Sequence, residues 1–299
     1  MAIKTINAAG LSLDVYGLDQ LRSDRIAVLF ALHGRLSEKS SMHHFCEVVL
    51  EKSKRKSNDR ELIIINFDQR NHGHRMVDEL NNRSFKSKGD DQGNPMHALD
   101  MYAVYSGTAQ DVSFLIDFLP ALLFPEGDKT IEEFMVAGVS LGGHAAWTVL
   151  RHEPRVEIGI PIIGCPDFAS LMTARLASQN LKFEPPIIPD TFRALIKQRD
   201  PVNCSFQAES AKENPFIGKK ILVLSGRKDR LVPHVPHTSA FLEKLNVGTT
   251  GRLENVEYDC GHELTEEGIS RSAEWIRVHG LEQRNVLLDD KGEERKAGL

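Results

Sequence analysis

Apolar positions along this chain follow two rhythms. Residues 11–16 (Leu-Ser-Leu-Asp-Val-Tyr) alternate apolar with polar, the period of a half-exposed strand. Residues 26–32 and 62–67 are short, continuous apolar runs, as parallel strands buried on both faces require. Between them, residues 40–52 place Phe45, Val48 and Val49 at helical spacing. A polar stretch, 72–95, then predicts a long loop. Residues 105–123 return to a period near 3.6 through Val112, Leu115, Ile116 and Leu119. Strands are predicted at 134–139, 156–163, 220–224 and 253–258, and helices from Ala145 to Leu150 and over 235–245 and 265–278.

Strands and helices that alternate over most of the length predict an α/β fold with one mostly parallel, doubly wound sheet. The rhythm breaks once. Residues 165–219 hold two helical pieces, 167–178 and 191–197, on either side of a Pro-rich crossing at Pro185, Pro186 and Pro189. That segment is too short for a domain of its own. It reads as a cap-like insertion within a single domain spanning 1–299, over the carboxyl edge where open α/β sheets bind ligands. The charged tail, 280–299, is expected to be flexible.

The 299 residues suffice for a large core. A formal net charge of −5 argues against general affinity for nucleic acid or anionic membranes. No apolar run is long enough to span a bilayer, and the first residues lack the apolar core of a secretory signal. The four cysteines are scattered, without Cys-x-x-Cys spacing, which favours free thiols in a reducing compartment. Those features predict a cytoplasmic protein.

The chemistry is concentrated at Gly138-Val139-Ser140-Leu141-Gly142-Gly143, where an apolar strand ends and a helix begins at once. In that context Gly-x-Ser-x-Gly predicts a nucleophile elbow. A serine hydroxyl needs a base and an orienting acid. His144 and His152 fall on the elbow helix, His234 and His237 in a Pro-rich turn, and His279 at the end of the last helix. His262, in Cys260-Gly261-His262, occupies a loop after a strand and is the predicted base. Asp229, after the strand 220–224, is the predicted acid, with Asp167 as runner-up and Asp259 too near His262 in sequence to face it. The oxyanion donors are predicted to be the amides of Leu141 and, in the loop Leu32-His33-Gly34-Arg35, of Arg35, with Gly34 turning the backbone inward and the His33 ring holding the loop. The Arg35 side chain either meets an anionic substrate group or reaches into water. His97, Met101 and Tyr102 suit a pocket wall or packing against the sheet edge equally.

His33-Gly34, Asp68-Gln69-Arg70-Asn71-His72-Gly73, the elbow, Gly226-Arg227-Lys228-Asp229 and Gly261-His262 stand in the order of the landmarks of the α/β-hydrolase superfamily. The chain resembles its small intracellular serine carboxylesterases, related to dienelactone hydrolases and prolyl-oligopeptidase domains, and many fungal hydrolases. It carries Ser140 where the dienelactone hydrolases proper carry cysteine. The resemblance implies hydrolysis of a small-molecule ester, thioester or lactone with no cofactor. A lyase or acyltransferase on the same scaffold, or a receptor-like protein without turnover, are the alternatives. His72 and His74 beside Asp68 invite a metal, but no further ligands follow at short spacing. The resemblance makes this motif a structural turn, with Arg70 bracing nearby loops. Oligomeric state is not legible.

Overall fold

In the computed structural model, residues 3–54, 60–85 and 93–282 are described, together with the backbone of 287–288 and 294–295. The strands are β1 (Ile3–Ala8), β2 (Leu11–Tyr16), β3 (Arg25–Leu32), β4 (Glu61–Phe67), β5 (Thr130–Val139), β6 (Val156–Ile162), β7 (Lys220–Gly226) and β8 (Arg252–Tyr258). They form one sheet in the order β1-β2-β4-β3-β5-β6-β7-β8. β3 to β8 run parallel, and β2 is antiparallel to both β1 and β4. The α/β expectation therefore holds, with an antiparallel hairpin added at one edge.

The central strands carry continuous apolar runs because each has two faces to bury. Val28, Phe30 and Leu32 of β3 pack into one core, while Ala27, Leu29 and Ala31 pack into the other. The first core is completed by α2 (His97–Leu123) and α3 (Leu141–His152), through Val112, Leu115, Ala145 and Trp147. The second is completed by α1 (His43–Lys52) and α7 (Glu266–Ile276), through Phe45, Val49, Ile269 and Trp275. This period-2 partition of one strand between two helical layers is the physical content of a doubly wound sheet.

The structure adds one strand and alters three expected segments. β1 was not anticipated, because five of its six residues are not fully buried and it turns into β2 through Ala9 at φ 50 and Gly10 at φ 89. Alanine in the left-handed region is a poor turn signal. α2 begins at His97, eight positions before the predicted start at 105. Its first turns bury His97, Ala98, Met101, Tyr102 and Val104 on several sides, which hides a 3.6 period. The helix predicted over 235–245 shrinks to α6 (Ser239–Leu242). Pro236 cannot donate, and the amides of Thr238 and Ser239 both turn back to the carbonyl of His234. Finally, the tail is packed at its start: Gly280 and Leu281 are buried, and Arg60 N–H donates to the Leu281 carbonyl. Beyond Glu282 only the pairing of Leu287–Leu288 with Glu294–Arg295 is described. The remaining residues of the expected flexible tail lie outside the described residues.

Between β6 and β7 lie α4 (Phe168–Ala177) and α5 (Asp190–Arg199). Among the described residues no helix is long and apolar enough to cross a membrane.

Candidate active site

Ser140 stands between β5 and α3 with φ 55 and ψ −109, a conformation that costs a non-glycine residue strain and persists only when its surroundings enforce it. They do. A Cβ on Gly138 would lie 2.1 Å from the Gly142 carbonyl oxygen, and one on Gly142 would lie 2.2 Å from that of Leu32. The Ser140 amide donates to the Ile162 carbonyl (2.9 Å) and the Gly142 amide to that of His33 (3.1 Å). The turn is thus locked to β6 on one side and to the end of β3 on the other.

Ser140 Oγ lies 2.8 Å from His262 Nε2, and His262 Nδ1 lies 2.7 Å from Asp229 Oδ2. The two partners arrive from the ends of neighbouring strands. Gly226 closes β7 so tightly on the following loop that a Cβ there would meet the Gly261 carbonyl oxygen at 2.2 Å, and Lys228 N–H donates to the Cys260 carbonyl (2.9 Å). Asp229 Oδ1 takes the amides of Leu231 (2.8 Å) and Val232 (3.0 Å), which leaves Oδ2 for the ring. Burial alone would raise the Asp229 carboxyl; the His262 ring and those amides outweigh it and hold it below its ordinary value. A carboxylate so held fixes the ring with Nδ1–H toward the acid and Nε2 free to accept from the serine. Asp167 is elsewhere: it caps α4, its Oδ1 taking the Ser170 amide (2.9 Å). Asp259 pairs with Lys228 at the surface.

The loop after β3 faces the elbow. His33 Nε2 accepts from the Gln69 amide (3.0 Å), and the other ring nitrogen lies 2.7 Å from the Gly34 carbonyl, so the ring ties this loop to the end of β4. Gly34 does not make the turn. It has no positive φ; Leu36, at φ 60, supplies the left-handed residue. What Gly34 leaves is space, since a Cβ there would stand 3.7 Å from that of Ser140. Leu141, first residue of α3, has no intrahelical acceptor for its amide. Asp68 is fully engaged by the amides of Lys39 and His74 and by the His74 ring, while Arg70 pairs with Asp111 (3.0 Å). Among the described residues no group of three or more His, Cys, Asp or Glu side chains is arranged to hold a metal.

A cavity of about 270 Å³ opens over Ser140 and His262, walled by Arg35, His97, Met101 and Arg175. Sequence reasoning left His97 and Met101 between wall and packing; they are both buried helix residues and cavity lining. Arg175 was missed. In the sequence it is a lone charge in the mostly apolar run Leu171-Met172-Thr173-Ala174-Arg175-Leu176, which does not by itself say which way the side chain turns.

Burial around this site makes a prediction. Desolvation pushes His33 down to about 4, and His97 and His144 down to about 3. Unfolded, each titrates at about 6.5. Below that pH the unfolded chain takes protons that the folded chain refuses, so stability is fully present above about 6.5 and drains away as pH falls toward the folded values. Each ring costs about 1.4 kcal/mol per pH unit in that window. Glu133 and Asp200, raised by burial, offset part of it. Urea midpoints should therefore fall between pH 7 and 5 with net proton uptake on unfolding; a flat profile would contradict the burial of these rings.

No family model matches the chain. A stretch of 151 residues is 21% identical to "Putative esterase YitV" of Bacillus subtilis (strain 168), spanning 48% of this chain and 56% of that protein. The likeness thus covers about half the length of the curated relative. Among solved structures, TT1662 from Thermus thermophilus superposes with a TM-score of 0.64 at 19% identity, over 93% of this chain and 98% of that one. Acetyl xylan esterase 1 from Thermoanaerobacterium sp. JW/SL YS485 gives 0.57 at 14% identity, over 90% and 78%. A likeness that runs through nearly the whole length and lands on this strand order leaves one architecture: the chain has the α/β-hydrolase fold.

Proposed function

We propose that the chain is a serine hydrolase, a carboxylesterase in kind, that cleaves a small-molecule ester, thioester or lactone through an acyl-enzyme. The observation that carries this is the hydrogen-bonded line from Ser140 through His262 to Asp229, at a strained turn, on the wall of a cavity. Neutral His262 accepts the Ser140 proton at Nε2 as Oγ attacks the acyl carbon, and the C–O π electrons move onto the carbonyl oxygen. The amides of Leu141 and Arg35 receive that oxyanion, a stabilisation worth about 3 kcal/mol for each donor in comparable sites. The tetrahedral species collapses, the bond to the alcohol breaks, and His262 returns the proton to the departing oxygen. Water then enters, gives its proton to His262, and releases the acid as Ser140 recovers its own. Asp229 holds the imidazolium that forms in each half and stays ionised.

The esterases among the relatives and structural neighbours support this reading. Residues 165–219 act as the cap of the site, with Arg175 and the neighbouring Ser178 and Gln179 on the cavity wall. The four unpaired thiols fit a cytoplasmic setting. A fluorophosphonate should label the protein at Ser140, and Ser140→Ala should abolish the label. An unlabelled wild-type protein would favour a receptor-like role, and labelling with acyl transfer to an alcohol faster than to water would favour an acyltransferase.

A further inference from the structure

The cavity over Ser140 is lined by arginine from three directions, Arg35 of the loop after β3, Arg175 of α4 and Arg230 beside the acid, and by no aspartate or glutamate among the described residues. Arg35 and Arg175 are only partly exposed, and neither meets a carboxylate among the described residues. A guanidinium offers five N–H donors. Arg35 donates to the Asn82 carbonyl (2.5 Å). Arg175 donates to the Leu231 carbonyl (2.8 Å) and approaches the Met101 sulfur (3.3 Å), a weak acceptor. Most of their donors therefore remain for something else. Of the two acidic groups that act on Arg175, Cys165 is a buried thiol and Asp229 is a carboxylate already spent on His262 and on two amides.

Two cations close together, desolvated and uncompensated, are costly unless a ligand completes them. Burial and the neighbouring Arg35 push Arg175 down to about 10, and burial lowers Arg35 as well. His97 is no substitute anion and adds no third charge, because burial and the same two arginines keep its ring neutral.

We propose that Arg35 and Arg175 form an anion subsite within the cavity, so that the preferred substrate is a small ester bearing a compact oxyanion, a carboxylate or phosphate, away from the scissile bond. This deepens the hydrolase reading and rests on it for the word substrate, but not for the subsite itself. Planar guanidinium forks match the oxygen geometry of such groups and bind them by paired charge-assisted hydrogen bonds. Exposed Arg230 at the rim draws the anion in. A cavity of about 270 Å³ has room for a short acid.

The test compares matched substrates that differ only in charge. Mono-p-nitrophenyl glutarate against its methyl ester places the carboxylate on the acyl side; m-acetoxybenzoate against its methyl ester places it on the alcohol side. For at least one pair the wild-type kcat/KM should favour the anion by about 10- to 100-fold, mostly through KM. In Arg175→Gln and in Arg35→Gln that ratio should fall toward one, and Arg175→Lys should restore part of it. A merely structural arginine would change both members of a pair alike. Ratios near or below one for both pairs, or a preference that survives both glutamine variants, would overturn the subsite while leaving the hydrolase intact. If none of the four esters turns over, the hydrolase reading fails and calorimetry decides the subsite alone. Glutarate or inorganic phosphate should then bind wild-type protein and lose affinity by about tenfold or more in Arg175→Gln; no heat with either anion would overturn it.

Discussion

Ser140→Ala should lower kcat for any ester the protein cleaves by about 10⁵- to 10⁶-fold, leaving only the residual acceleration of binding and the oxyanion donors. In the proposed mechanism Oγ is the atom that forms the acyl bond, so nothing else in the cavity replaces it. Alanine is no more strained at φ 55 than serine, and the elbow is locked by backbone contacts of Gly138 and Gly142 that the substitution does not touch. The variant should therefore fold with a melting temperature close to that of the wild type, and mass spectrometry after rapid mixing with an activated ester should find the acyl adduct on the wild-type protein alone. His262→Ala should cost nearly as much, because serine and base act as one unit. Retention of turnover in Ser140→Ala would remove the nucleophile assignment, whereas retention in His262→Ala would remove only the base.

Asp229→Asn should lower kcat by about 10⁴-fold, against less than about threefold for Asp167→Asn. The contrast follows from where the two carboxylates point. Oδ2 of Asp229 accepts from His262 Nδ1 at 2.7 Å, and an asparagine amide presented there would favour the tautomer with its proton on Nε2, where Ser140 needs an acceptor. Asp167 caps α4, and asparagine caps a helix about as well. The backbone should survive in both variants, since Oδ1 of Asp229 and its two amide donors have an equivalent in the asparagine carbonyl. If Asp167→Asn proved the crippling change, the orienting acid would lie after β6 rather than β7.

The placement of Ser140, Asp229 and His262 shows what a single sequence carries and what it does not. Each follows a strand, Ser140 and Asp229 after apolar runs and His262 after the more polar β8, and the alternation of strands with helices allows essentially one sheet order and one edge for the three. Burial of both faces is written in the residues of the runs 26–32 of β3, 134–137 of β5 and 221–224 of β7, which are apolar without interruption because helices cover the sheet on two sides. The elbow is legible for the same kind of local reason: only glycine fits where backbone meets backbone at about 2 Å for a hypothetical Cβ.

What the tertiary structure decided is everything whose cause lies far away in the chain. β1 is stabilised by pairing with β2 and not by a pattern of its own, and the first turns of α2 are buried on several sides by elements distant in sequence. Gly34 looked like the turn of its loop, yet Leu36 takes the left-handed conformation, and nothing in a leucine side chain marks it for that in the sequence. Arg175 is the clearest case. On its helix it is one charge among apolar neighbours, with nothing to separate a residue that reaches into water from one turned inward. Only the packing of α4 over the sheet edge sets it on the cavity wall with Arg35, 140 positions earlier in sequence, and Coulomb interaction depends on that distance in space, to which order along the chain is blind.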